Sequence, residues 1–124
     1  MAEDADQDGL TDLILAFGWN PEFRVLSGLG DGRFGNIRSY PFDWHLESRH
    51  GFSVPVSPEL VQADFNEDGS LDVLFTAAAL LRTFHLPILL TGPQACAITI
   101  KTDQLAPIAA VADFDGDGHT DLVI

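Results

Sequence analysis

The sequence predicts an all-β protein built from short antiparallel sheets of four strands each, and three observations favour this class. Apolar runs of strand length recur between Gly- and Pro-rich turns and show no helical stripe. Several runs, such as Ile108–Val111, are apolar at consecutive positions, so both faces of the sheets should be covered. One acidic motif also occurs three times. Four-stranded sheets stacked face to face at a period of about 50 residues are typical of β-propeller blades.

The first predicted repeat, residues 4–56, begins with an acidic loop at residues 4–12. Its predicted strands are Leu10–Phe17, Phe23–Leu29 and Phe34–Phe42. Turns are expected at Gly18–Pro21 and Gly30–Gly32, where Gly and Pro favour chain reversal. We expect no strand before the first loop, so this repeat should contribute three strands.

The second predicted repeat covers residues 57–106, and the start of a third covers residues 107–124. The predicted strands of the second are Glu59–Ala63, Leu71–Leu81, His85–Leu90 and Cys96–Lys101, and the third opens with Pro107–Ala112. About two to two and a half blades are therefore expected, too few to close a ring. A segment of a larger propeller is favoured over an assembly of several copies, and either would supply the neighbouring blades.

The acidic motif has nine positions, and it defines loop 1 (residues 4–12), loop 2 (residues 64–72) and loop 3 (residues 113–121). Side-chain oxygens occupy positions 1, 3, 5 and 9, and Gly occupies position 6. A bound cation explains such crowding of like charges, and all-oxygen ligands select Ca²⁺ over zinc or copper. Up to three sites are predicted, with the position-7 residue contributing its backbone carbonyl. The candidate ligands are Asp4, Asp6, Asp8, Leu10 and Asp12; Asp64, Asn66, Asp68, Ser70 and Asp72; and Asp113, Asp115, Asp117, His119 and Asp121.

An EF-hand loop begins with the same letters and is rejected on two grounds. It needs a bidentate Glu at position 12, where this chain has Leu15, Phe75 and Ile124. It also needs flanking helices, whereas the flanks here have the length of strands. The alternative that the loops are solvated acidic turns without metal is disfavoured, because eleven of the fourteen Asp residues lie in the three loops.

Composition and motifs exclude several other functions. A net charge of −13 disfavours nucleic acid and anionic membrane as partners, and no apolar run reaches the length of a membrane span. Gly30-x-Gly32-x-x-Gly35 is interpreted as a hairpin turn, because no helix is predicted after it. Cys96 is expected to be a buried small hydrophobe. No catalytic constellation is found, so the chain is not expected to be an enzyme.

The string Val111–Val123 resembles the FG-GAP (VCBS-type) repeat of integrin α-subunit β-propellers, and Leu26–Gly35 resembles the turn between strands 3 and 4 of that repeat. The resemblance covers most of the chain except residues 43–58. It implies a propeller of about seven blades whose carboxylates at positions 1, 3, 5 and 9, with the position-7 carbonyl, bind Ca²⁺. Asn66 is a neutral variant at position 3.

A ligand face is predicted opposite the calcium loops, because strand parity places the connections between strands 2 and 3 and between blades there. These connections carry Trp19, Trp44 and Arg49, which suit recognition of a protein or a sugar. The alternative is that Trp44 and Phe52 simply pack over the blade ends.

The sequence thus predicts a calcium-binding β-propeller module for protein or glycan recognition or adhesion, in which calcium is structural. An extracellular or cell-surface location is expected, since calcium there saturates even weak sites. Two alternatives stay open. The blades could be the accessory part of a secreted carbohydrate-active enzyme, or they could be a lectin with sugar sites between blades.

Overall fold

The computed structural model describes residues 1–17, 20–43, 58–77, 84–102 and 110–123, and every regular element in these ranges is a strand. This confirms the predicted all-β class of partial propeller blades. The strands are β1 (Ala2–Glu3), β2 (Asp12–Phe17), β3 (Asn20–Gly28), β4 (Phe34–Pro41), β5 (Pro58–Ala63), β6 (Asp72–Ala77), β7 (Phe84–Leu90), β8 (Cys96–Thr102), β9 (Ala110–Ala112) and β10 (Asp121–Val123). They form antiparallel sheets in the orders β1-β2-β3-β4 (sheet 1), β5-β6-β7-β8 (sheet 2) and β9-β10 (sheet 3).

Sheet 1 has a strand before loop 1, so the prediction of none there was wrong. Strand β1 pairs antiparallel with β2, with Glu3 opposite Asp12. Two backbone hydrogen bonds between Met1 and Ile14, at 2.8 and 3.0 Å, extend the pairing. A strand of two residues is too short to show any periodicity, and its backbone pairing alone defines it.

Strand β3 already begins at Asn20, which pairs with Phe17, so the last two residues of the turn predicted at Gly18–Pro21 belong to a strand. Residues 18 and 19 lie outside the described residues. The turn at Gly30–Gly32 is confirmed by positive φ at Gly30, Asp31 and Gly32. It is closed by Leu29 N donating to Arg33 O at 2.9 Å. The repeat boundaries predicted at residues 56/57 and 106/107 lie outside the described residues.

The main core lies between sheets 1 and 2. Sheet 1 contributes buried residues of β2 and β3, and sheet 2 contributes buried residues of β6 and β7. They are Ile14, Phe23 and Val25 from sheet 1 and Val73, Phe75 and Leu89 from sheet 2. Phe23 is 5.0 Å from Phe42 and 6.5 Å from Phe75, measured between ring centroids. These aromatic contacts fix the two sheets against each other.

The central strands β6 and β7 of sheet 2 are buried on both faces, as their apolar pattern predicts. Its second face buries Leu74, Leu86 and Ile88, against which Leu122 of β10 packs. The outer face of sheet 1 is less covered: Leu13, Leu15 and Leu26 are half-buried, and Ile37 is 61% exposed.

Cys96 is exposed, so the expectation that it is a buried hydrophobe was wrong. It belongs to β8, the edge strand of sheet 2, where Ile98 and Ile100 at the same parity are also exposed. Alternate residues of a strand point to opposite faces, so Cys96, Ile98 and Ile100 share one face of β8, which is only partly covered.

Candidate metal centre

Each acidic loop joins two paired strands and ends at a strand's first residue. Loop 1 joins β1 to β2, loop 2 joins β5 to β6, and loop 3 joins β9 to β10. The position-9 residues Asp12, Asp72 and Asp121 open β2, β6 and β10. The hairpin arrangement is the one expected from the sequence, and it places all three loops at the same end of their strand pairs.

The backbone of each loop is left-handed at two positions. Gly at position 6 has φ of 87°, 87° and 91° in the three loops, as the motif requires. Position 4 is left-handed as well, with φ of 61° at Gln7, 61° at Glu67 and 79° at Gly116. Only loop 3 carries a sequence signal for left-handed backbone at position 4, because its residue there is Gly.

The position-1 carboxylate of each loop accepts two backbone hydrogen bonds from the loop's own interior. In loop 1, Asp8 N and Gly9 N donate to the two oxygens of Asp4 at 3.0 and 2.9 Å. Asp64 accepts the same pair, from Asp68 N and Gly69 N at 3.1 and 2.9 Å. Asp113 also accepts two bonds, but from positions 4 and 6, with Gly116 N at 2.7 Å and Gly118 N at 3.0 Å. These bonds curl the chain around the position-1 side chain and define where the other acidic groups lie.

The position-5 carboxylates make a second repeated contact, each with the N–H of position 7. The distances are 2.8 Å for Leu10 N to Asp8, 2.8 Å for Ser70 N to Asp68, and 2.9 Å for His119 N to Asp117. The Ser70 N–H bond lowers the pKa of Asp68, which favours its charged form.

The position-9 carboxylate is structural as well as a candidate ligand. Asp12 and Asp72 are fully buried. Asp72 accepts hydrogen bonds from Phe65 N at 2.9 Å and Thr91 N at 2.8 Å, so it joins loop 2 to the end of β7. Asp12 does the same with Ala5 N and Gly28 N, at 3.0 and 2.7 Å. Desolvation raises the pKa of Asp72, while the two N–H groups act against that rise.

The carboxylates of two loops converge closely enough to share an ion. One carboxylate oxygen from each of Asp4, Asp6 and Asp8 lies within 4.8 Å of the others, and the same holds for loop 3. The loop 3 members are Asp113, Asp115 and Asp117. In loop 2, the neutral Asn66 stands at position 3, and its side chain exchanges hydrogen bonds with Asp68 at 3.0 and 3.1 Å.

Asp6 carries the strongest indication of a missing partner. Its Oδ1 is buried and has no hydrogen-bond donor among the described residues, whereas its Oδ2 accepts a bond from Arg38 Nη2 at 2.9 Å. A buried carboxylate oxygen without a partner is costly, and a cation held among the position-1, -3 and -5 carboxylates would satisfy it. Oxygen-only donors in a loop of this kind fit Ca²⁺.

The position-7 residues Leu10, Ser70 and His119 were predicted to offer carbonyls rather than side chains. The ring of His119 is engaged elsewhere, since its Nδ1 contacts Glu67 Oε1 of loop 2. That contact raises the pKa of the His119 imidazole. The ring therefore has a partner in the neighbouring loop, which is compatible with the carbonyl serving as the ligand.

The predicted ligand-face residues Trp19, Trp44 and Arg49 lie outside the described residues. Within the described ranges, no helix is long and apolar enough to cross a membrane.

Comparison with known families gives two matches. A family model described as an FG-GAP-like repeat matches residues 4–75, and a model described as an FG-GAP repeat matches residues 106–124. The first match includes loops 1 and 2, and the second includes loop 3. No curated protein and no solved structure matches the chain.

Proposed function

Because this chain belongs to the FG-GAP-like repeat family, we propose that it is a calcium-stabilised β-propeller module that recognises a protein or glycan partner. The observation that carries the calcium part is the unpartnered, buried Oδ1 of Asp6 in a cluster with Asp4 and Asp8. Calcium would supply the charge that this cluster lacks, and the position-7 carbonyl would complete an all-oxygen ligand set.

The overall charge supports the same proposal. The chain has a net charge of −13, and eleven of its Asp residues lie in the three loops. Three bound Ca²⁺ ions would leave a net charge of about −7, which is typical of soluble domains. The role of the metal is to hold the hairpins at one end of each sheet, where like charges would otherwise repel.

Millimolar extracellular calcium would saturate even weak sites of this type, so we place the module outside the cell or at its surface. The partner-binding part of the proposal rests on the aromatic and charged residues Trp19, Trp44 and Arg49 in the sequence. Trp44→Ala and Arg49→Ala should weaken capture on a glycan array or by a protein ligand while calcium affinity is unchanged. Equal loss of both properties would contradict a separate ligand face.

Calorimetric titration of the chelator-treated chain with CaCl₂ tests the metal part. We expect up to three binding events, and we expect Asp6→Asn to remove or weaken one of them. Asp31→Asn is the matched control, because it removes the same charge from an exposed turn outside the loops. Absence of binding heat in the unmodified chain, or equal effects of the two substitutions, would contradict the proposal.

A further inference from the structure

The three loops are linked to one another by side chains that follow one rule. Gln7, at position 4 of loop 1, donates through Nε2 to Oγ of Ser70, at position 7 of loop 2. Glu67, at position 4 of loop 2, contacts the ring of His119, at position 7 of loop 3. The linked residues are 63 and 52 apart in sequence, yet the offset from position 4 to position 7 is the same. The contact therefore repeats with the stacking of the sheets.

The residues at position 4 that make these contacts have a left-handed backbone. Gln7 and Glu67 both have φ of 61°, a conformation that residues other than Gly adopt rarely. Gly116 occupies the same position in loop 3 with φ of 79°. Gly would therefore satisfy the backbone at all three positions, and the side chains of Gln7 and Glu67 need another reason to be there.

A backbone contact joins loop 1 to the turn after β7, next to loop 2. Gly92, in the turn after β7, donates its N–H to Ala5 O of loop 1 at 2.8 Å. A Cβ on Gly92 would lie 3.5 Å from both Asp68 Oδ2 and Ser70 Oγ and 3.6 Å from Gln7 Nε2. Loop 1, loop 2 and this turn thus meet at one junction beside the position-5 and position-7 groups of loop 2.

We infer that Gln7 and Glu67 are positioning residues, each of which orders position 7 of the following loop and thereby strengthens calcium binding there. The inference rests on the proposed calcium binding. Position 7 would contribute its carbonyl to the ion, so fixing the side chain of Ser70 or His119 reduces the freedom that binding must remove. The affinity of a loop then depends on the sheet before it. Leu10, at position 7 of loop 1, has no polar side chain to be held in this way.

The test is a CaCl₂ titration of the full 124-residue chain, monitored through backbone amide NMR signals that report on each loop separately. Gly9 reports loop 1 and Gly69 reports loop 2. In Gln7→Ala, we expect the calcium concentration that half-saturates loop 2 to rise about fivefold or more. The calcium concentration that half-saturates loop 1, whose ligands are untouched, should change by less than about twofold.

Two further variants and one control make the result specific. Gln7→Gly removes the side-chain amide but suits the left-handed backbone at position 4. It should therefore weaken calcium binding in loop 2 without destabilising the backbone of loop 1. Ser70→Ala combined with Gln7→Ala should weaken loop 2 no more than either change alone. Gln62→Ala is the control, because Gln62 Nε2 also bridges sheets 1 and 2, through Glu3 at 3.1 Å, but both residues belong to the strands that lead into the loops and touch neither position 4 nor position 7.

The inference would be overturned if Gln7→Ala left the calcium affinity of loop 2 unchanged, or if it lowered the affinities of loops 1 and 2 equally. Either result would leave the proposed calcium binding intact. An equal effect of Gln62→Ala on loop 2 would also overturn it, because any contact between the sheets would then suffice. If neither glycine signal of the unmodified chain responds to calcium, the proposed function itself fails.

Discussion

At the scale of single residues, the positively charged side chain of Arg38 forms an ion pair with a candidate calcium ligand, Asp6. Its guanidinium lies on Oδ2 of Asp6 at 2.9 Å, so it neutralises part of the charge that loop 1 would offer to a cation. The corresponding residue of β8 is Ile98, because Ile98 lies opposite Ile88 as Arg38 lies opposite Val25. Loop 2 therefore has no arginine at this place.

Arg38→Ala is expected to tighten calcium binding in loop 1 by roughly threefold to tenfold, because it removes a positive charge that pairs with the candidate ligand Asp6. Loop-resolved NMR titration at low salt measures the change. Arg33→Ala is the control, since Arg33 pairs with the exposed Asp31 outside the loops. Weaker binding in Arg38→Ala would show instead that the guanidinium holds Asp6 in its binding conformation.

The sequence identified the candidate ligands but missed the left-handed backbone at position 4. Gly is the residue that reveals positive φ in a sequence, and Gln7 and Glu67 hide it because they carry side chains. Their contacts to Ser70 and His119 join residues more than 50 positions apart, which no local pattern can show. The convergence of Asp4, Asp6 and Asp8, by contrast, follows from spacing within one loop.

At the scale of elements, the position-9 aspartates of loops 1 and 2 tie each of these loops to its sheet. Asp72 accepts one N–H from loop 2 and one from the end of β7, and it is fully buried. Asp12 repeats the arrangement in sheet 1. The loops are therefore held partly by hydrogen bonds that need no metal.

Asp72→Asn should lower the free energy of unfolding by about 1–3 kcal/mol even in chelator, because one carboxylate oxygen is replaced by an amide NH₂ that cannot accept a hydrogen bond. Thermal or urea unfolding in EGTA measures this. Asp68→Asn is the matched control, since Asp68 is exposed and the amide oxygen can still accept the bond from Ser70 N. Because Asp68→Asn also loses the exposed bond from Asn66 Nδ2, we expect it to lower stability in EGTA slightly, and by much less than Asp72→Asn does. Equal stability of both variants in EGTA would mean that Asp72 acts only through the metal.

The sequence predicted which segments are strands better than it predicted where each strand begins and ends. The apolar runs and Gly-Pro turns located the strands of sheets 1 and 2, because turn residues and apolar periodicity are local properties. The two-residue strand β1 and the exposure of Cys96 depend on pairing and on which strand forms the sheet edge. Both are set by tertiary contacts, so the local pattern could not supply them.

At the scale of the whole molecule, the sheets are joined by an aromatic cluster. Phe75 of sheet 2 is fully buried and lies 6.5 Å from Phe23 and 6.1 Å from Phe42, measured between ring centroids. Both partners belong to the first sheet and the segment directly after it. The cluster therefore fixes the relative placement of the two sheets, and with it the junction between loops 1 and 2.

Phe75→Ala should cost about 3–5 kcal/mol of stability, because it leaves a cavity between the sheets. Phe114→Ala should cost less than about 0.5 kcal/mol, since the Phe114 side chain is 54% exposed. Denaturant unfolding of both variants in saturating calcium measures the difference. Similar losses would indicate that the two sheets do not form one cooperative unit.

We propose that the three loops hold calcium and that the bound ions stabilise the fold. The most direct measurement is thermal unfolding of the chain in excess CaCl₂ and in EGTA at equal ionic strength, which separates binding from screening of the net charge of −13. At a hundredfold excess over Kd, each occupied site adds about 2.7 kcal/mol to the free energy of unfolding. We predict a clearly higher Tm in calcium; superimposable unfolding curves would contradict calcium binding in these loops.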